Sequence, residues 1–177
     1  MNSIAATVCV LEPLVAAHAG EMFEVLSDPA IYEFENQAPA SVEALRDRYR
    51  RLEARGPADG RQVWLNWVLR LPSGELAGYV QATVLHDGTS FVAYELNSRY
   101  WRRGIGSSAV SAMLAELKNQ YAVSLAVAVL KAKNHRSLGL LQKLGFQRAS
   151  PADEAGWRDA DDELAFVKRL GGDCSVA

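Results

Sequence analysis

Between Leu14 and Leu26 the apolar residues Leu14, Val15, Ala19, Met22, Phe23 and Leu26 recur at helical spacing. They predict a helix ended by Asp28-Pro29, since the residue before a proline leaves the helical region. Upstream, Thr7 to Leu11 alternates weakly and reads as a first strand stopped by Pro13. Ser41-x-Glu43 opens a second helix that runs to about Ala54 and closes at Gly56-Pro57. The period then drops to that of strands. Gln62 to Leu71 and Glu75 to Leu85 are joined by the hairpin signal Pro72-Ser73-Gly74, and His86-Asp87-Gly88 turns the chain into Thr89 to Leu96. Ser107 to Asn119 returns to helical spacing, with Val110, Met113, Leu114 and Leu117 on one face. Val123 to Leu130 is almost wholly apolar, as in a strand buried on both faces. Asn134 caps a helix to Leu144, Gly145 sits at its left-handed end, Phe146 restarts extended chain, and Glu163 to Leu170 is a closing strand.

The order is β, α, α, three antiparallel strands, then α-β-α-β-β. This is an α/β (α+β) pattern: a mixed sheet covered by helices, in one domain spanning residues 1–177. A strand, crossover helix and next strand can pair in parallel. That places the loop after Leu96 at the carboxyl end of a strand, where ligands of open α/β sheets gather.

Composition narrows the class without naming a reaction. The net charge of −2 gives no reason to expect nucleic acid. The basic run Arg46 to Arg55 is the solvated face of a helix. Cys9 and Cys174 lie near opposite ends without metal spacing, which suits a reducing compartment. No apolar run reaches membrane length and no secretory leader is visible, so the expected location is the cytoplasm, away from the membrane.

The chemistry concentrates in Tyr100-Trp101-Arg102-Arg103-Gly104-Ile105-Gly106-Ser107-Ser108, between a strand-like and a helix-like run. Glycines permit a tight turn, and the first amides of the following helix point at an anion that the helix dipole also favours. Arg102 and Arg103 add charge-assisted donors. The expected guest is a pyrophosphate. By itself a Gly-x-Gly turn is also an ordinary connection, because it lacks the third glycine of a dinucleotide loop and the Gly-Lys-Ser/Thr of a P-loop.

A second motif sharpens this. Tyr100 to Gly106 resembles the Tyr-Trp-x-x-Gly-x-Gly/Ala loop of the GNAT superfamily of acyl-CoA-dependent N-acyltransferases, in its RimJ/RimL-type branch. Asn134-His135-Arg136-Ser137 followed by Leu141-Gln142-Lys143-Leu144-Gly145-Phe146 resembles that branch's Asn-x-x-Ser…Leu-Glu-Lys-Leu-Gly-Phe segment. Leu11-Glu12-Pro13-Leu14 and Leu26-Ser27-Asp28-Pro29 resemble its amino end. Trp101 replaces the Gln or Arg of the wider superfamily, as is usual in this branch.

The resemblance implies a mostly antiparallel sheet with one splayed parallel pair, and acetyl-CoA as co-substrate. Backbone amides from Arg102 through Arg103, Gly104, Ile105, Gly106 and Ser107 to Ser108 would cradle the pyrophosphate. Leu96 and Asn97 would pair through their backbone with the pantetheine arm, which Asn134 would also bond. Asn134 is equally well explained as a helix cap. Ser137 is the implied proton donor to the leaving thiolate, although it could as well cap locally or face solvent. Gly139, inside a helix, is read as marking close packing.

Amine attack on a thioester needs a neutral amine, donors for an oxyanion and a proton for the thiolate. Glu95, a carboxylate in an otherwise apolar strand, is the candidate base; the alternative is an acceptor-orienting or structural carboxylate. Ser90, where other superfamily members carry a base, cannot serve. His18, His86 and His135 read as surface or turn residues. Tyr32, Glu33, Phe34 and Glu35 lie where the family places its acceptor-binding segment. The expected partner is a small-molecule or peptide amine, with a homodimer possible in this family and no metal. The other function open at this point is a non-catalytic acyl-CoA-binding module of the same fold.

Overall fold

A computed structural model describes residues 1–34 and 37–171. Glu35 and Cys174 lie outside the described residues. The strands are β1 (Ile4–Ala5), β2 (Val10–Pro13), β3 (Gln62–Arg70), β4 (Leu76–Leu85), β5 (Thr89–Leu96), β6 (Leu125–Lys131), β7 (Gln147–Arg148) and β8 (Glu163–Arg169). They form one sheet in the order β1-β2-β3-β4-β5-β6-β8-β7, antiparallel except between β5 and β6. The helices are α1 (Ala19–Leu26), α2 (Val42–Glu53), α3 (Ile105–Tyr121), α4 (His135–Lys143) and α5 (Pro151–Trp157).

The two faces of the sheet carry different helices. On one, Ala19, Met22 and Val25 of α1 and Leu45 and Tyr49 of α2 pack with Val68 and Leu76. On the other, Ala109, Val110, Met113 and Leu117 of α3 and Leu141 of α4 pack with Leu65, Trp67, Leu69, Val80 and Val92. Period-2 alternation explains the division: neighbouring residues of β3 such as Trp67 and Val68 bury on opposite faces.

Helix α1 is shorter than its periodicity predicts, because Ala16–His18 forms a 3₁₀ turn before it. Helix α5 was not foreseen in the sequence pattern, although Ser150 caps it by accepting from Asp153 N and Pro151 opens it. Glu154 of α5 is 6% exposed; it accepts from Ala165 N of β8 (3.0 Å) and from Arg148 (3.2 Å). These bonds, that of Ala165 N first, hold its carboxyl below the usual range against the opposing effect of burial.

The parallel pair of the sheet positions the site. Strands β5 and β6 are paired only at Thr89↔Leu125, Ser90↔Ala126 and Phe91↔Val127. Beyond Phe91, β5 stays with β4 as far as Gly78↔Leu96, and β6 stays with β8 as far as Lys131↔Glu163. The parallel pair therefore opens into a gap at its carboxyl end, the splay that the family resemblance implies.

Candidate active site

The gap leads into a cleft of about 730 Å³. Its walls are Val92 to Leu96 of β5, Ala128 to Leu130 of β6, Tyr100 to Arg102 and Gly104 to Ser107, and one side of α4 from His135 to Lys143. Asn97 N donates to Ala77 O (3.0 Å), so the alternation of an antiparallel ladder turns the peptide groups of Tyr94 and Leu96 towards the gap. The Leu96 carbonyl is covered, since Trp101 Nε1 donates to it (2.9 Å). Asn97 departs from expectation. Its amide is bonded to β4, its carbonyl accepts Tyr100 N (3.0 Å), and its side chain donates to Val25 O (3.0 Å). Its amide is thus spent inside the protein, and the gap-facing peptides are those of Leu96 and, one strand period earlier, Tyr94.

The loop has the backbone that an anion cradle needs. Arg102 (φ 59°) and Gly104 (φ 78°) are both left-handed. A Cβ on Gly104 would meet nothing within 4 Å. The first bond of α3 runs from Ser108 N to Gly104 O (2.9 Å), so the amides of Ile105, Gly106 and Ser107 have no carbonyl of their own helix. Ile105 itself is buried. Arg102 and Arg103 are exposed; Arg102 lines the cleft and Arg103 does not. Ser108 lies outside the cleft, with Val8 N at 3.4 Å from its hydroxyl. It lines a second hollow, of about 600 Å³, beyond the first turn of α3.

The two remaining glycines read differently in the structure. Gly106 lies inside α3 rather than in a surface loop, and a Cβ there would sit 2.9 Å from Leu140 Cδ1 and 3.7 Å from Leu96 Cδ1. It serves helix packing as much as ligand approach. Gly139 was expected to mark close packing, yet nothing lies within 4 Å of a Cβ built on it. It borders the cleft instead.

Asn134 caps α4, its Oδ1 accepting Ser137 N (3.0 Å), and the residue lines the cleft. Ser137 Oγ lies 2.6 Å from the hydroxyl of Tyr94, across the mouth of the gap. Tyr94 carries no signal in the sequence beyond strand propensity; only the register of β5 brings it to α4.

Glu95 points to the other face of β5. It is paired with Tyr79 across β4, and Tyr79 Oη donates to Glu95 Oε2 (2.8 Å). Burial first, then the Glu95 charge, holds the Tyr79 hydroxyl well above its ordinary value, so it remains a donor. Tyr32 is pushed up to about 12 by burial and by the same carboxylate. Arg48 of α2 lines this end of the cleft and opposes both shifts. Gly78 makes the arrangement possible: a Cβ there would lie 2.0 Å from Glu95 O.

After α1, Ile31 and Phe34 border the cleft. Asp28 accepts from Ser98 N (2.7 Å) and Ala30 N (3.0 Å). Glu33 pairs with Arg136 (2.8 Å), whose guanidinium also lies 4.2 Å from the Trp101 ring centre and 5.2 Å from that of Phe34. Tyr32 Oη donates to Leu26 O (2.7 Å). Of the other sequence candidates, Ser90 is buried within the paired part of the strands and is absent from the cleft walls, whereas His135 lines them. Among the described residues no group of acidic, His and Cys side chains could hold a metal ion, and no helix is long and apolar enough to cross a membrane.

A gap between two strands that have parted from each other, left-handed loop residues and helix-start amides without a carbonyl of their own helix suit a ligand with a peptide-like arm and a pyrophosphate, as coenzyme A has. The same architecture recurs among solved structures. A RimL ribosomal L7/L12 alpha-N-protein acetyltransferase in complex with coenzyme A superposes with a TM-score of 0.78 at 14% identity, over 94% of this chain and 97% of that one. A ribosomal-protein-S5-alanine acetyltransferase from Vibrio fischeri gives 0.77 at 16% identity, over 95% and 96%. A GNAT-family acetyltransferase from Bacillus anthracis gives 0.75 at 15% identity, over 95% and 98%. No curated protein sequence matches the chain significantly. Residues 9–147 match the family described as the acetyltransferase (GNAT) domain. The chain belongs to that family: it is a GNAT-type acetyltransferase whose co-substrate is acetyl-CoA.

Proposed function

We propose that this enzyme acetylates a primary amine, a protein N-terminus or a small molecule, by direct attack within a ternary complex. The observation that carries the reading is the placement of two proton-handling groups on opposite faces of one strand at an open gap. Glu95 stands on the face of α1 and α2, and Ser137 on the face of α3 and α4. An amine approaching from the first face meets a carboxylate that can take its proton, directly or through water. A thioester seated from the second face leaves its sulfur near a hydroxyl that can return one.

Acetyl-CoA supplies the activated acetyl group. The amides of Ile105, Gly106 and Ser107, with Arg102, would hold its pyrophosphate, and the peptides of Tyr94 and Leu96 with Asn134 Nδ2 its arm. The segment bearing Tyr32, Glu33 and Phe34 excludes water over the acceptor. The ribosomal-protein acetyltransferases of the same fold support peptide N-termini as the first acceptors to try. Calorimetry with CoA, followed by thiol release from acetyl-CoA across a panel of peptides beginning with Ser or Ala, polyamines, aminoglycosides and amino acids, tests the reading. Binding with release by one acceptor class supports it. Binding without release by any amine would reduce the protein to an acyl-CoA-binding module.

A further inference from the structure

We infer that Tyr94 is a positioning residue that makes Ser137 an effective proton donor to the sulfur of coenzyme A, the two hydroxyls working as one relay. The inference rests on the site reading above and adds a residue to it. The hydroxyls of Tyr94 and Ser137 are 2.6 Å apart and partly buried, and both residues line the cleft at the open end of the β5–β6 gap. Tyr94 also reaches the Ser137 carbonyl (3.3 Å), which orients the ring against the first turn of α4.

Acidity explains why a serine here needs help. An alkyl hydroxyl is a far weaker acid than the thiol it must protonate. A phenol near 10 lies within about two units of a thiol near 8.5. A hydrogen bond from Tyr94 Oη to Ser137 Oγ lets the serine donate onward at the phenol's cost rather than its own. The balance is complete. The amine nitrogen bonds to the acetyl carbon as the C–S bond breaks, and the electron pair leaves on sulfur. Ser137 gives sulfur its proton and takes that of Tyr94. The amine's proton goes to Glu95 or water, and solvent later reprotonates the phenolate. Among the described residues the charged groups facing this cleft are Arg102 from the loop, His135, Arg136 and Lys143 from α4, and Glu95 and Arg48 from the opposite face.

The test needs no turnover. A relay that donates to sulfur favours the thiolate, so CoA should gain affinity over desulfo-CoA as pH rises from about 7 to about 9.5. In the wild type we expect a gain of roughly tenfold, the equivalent of one pKa unit. Tyr94→Phe and Ser137→Ala should each abolish it, and the double variant should lose nothing more, as for groups acting in series. Affinity near pH 7 should be unchanged throughout. Fluorotyrosine at position 94, which preserves packing, should make the gain collapse at lower pH because that phenol ionises earlier. A full gain in Tyr94→Phe, or loss only in Ser137→Ala, would overturn the relay. In acetylation assays each single variant should lower kcat roughly 10- to 100-fold, again without additivity. A wild type with the pH-dependent gain but no acetylation of any amine would keep the relay and remove the transferase reading.

Discussion

Two contacts at Glu95 can be varied separately. Tyr79 donates to its carboxylate, and Gly78 lets β4 press against its backbone; Arg48 lines the same end of the cleft. If Glu95 is the base, Glu95→Gln keeps CoA binding, lowers turnover by roughly 10²–10⁴-fold and removes the acid limb of the pH–rate profile. A raised KM with intact kcat would make it an acceptor-orienting group. Gly78→Ala forces backbone apart and should cost about 2 kcal/mol of stability, read as a lower denaturant midpoint. Its role was invisible in sequence, because a lone glycine in a strand does not say which neighbour it must admit. Asn134 was legible as a cap, since capping is local chemistry. Tyr94 was not, because its partner lies 43 residues away and only the strand register joins them.

At the scale of elements, the loop into α3 and the segment after α1 make separable predictions. Gly104→Val puts a β-branched residue at φ 78° and should weaken CoA binding in calorimetry while the melting temperature falls only modestly. Gly106→Val is no clean counterpart, since it meets Leu140 and disturbs the packing of α3 on α4. The motif spacing announced both glycines alike, but one is needed for its dihedral angle and the other for space. In the segment after α1, burial would raise the Asp28 carboxyl, yet the bonds from Ser98 and Ala30 outweigh it and hold it below its ordinary value. The sign follows: the stabilisation is fully present above the unfolded value and is lost as pH falls through the lower folded one. Asp28→Asn should cost about 1 kcal/mol near neutrality, with the difference from wild type shrinking below about pH 4. Arg136→Ala removes the link between Glu33, Phe34 and Trp101, and should raise the acceptor's KM more than it weakens CoA.

For the molecule as a whole, the mixed sheet and its helices were readable because the period of the apolar pattern changes at each boundary. The exceptions have physical reasons. β1 and β7 are two residues long, too short for any period. α5 is only seven residues long and has too few apolar residues for a helical period, so its caps were its sole signal. The division of labour between the two faces of β5 was also out of reach. It depends on which neighbours bury Tyr79 and Tyr94, and that is decided by packing across the sheet.

The three-residue contact between β5 and β6 has a mechanical consequence. It is a seam between a five-stranded half-sheet and a three-stranded one, spanned by α3 in the chain and by the Tyr94–Ser137 hydroxyl pair at its mouth. Apart from the two-residue edge strands, this is the shortest ladder in the sheet, so slow opening motions should concentrate along this line. A molecule that bonds to both margins acts as a strut and should couple the halves into one exchange unit. Amides of Val129 and Leu130 would then exchange more slowly on CoA binding in step with those of Ala82 and Val84, two strands away, and the seam would set how far binding is felt through the fold.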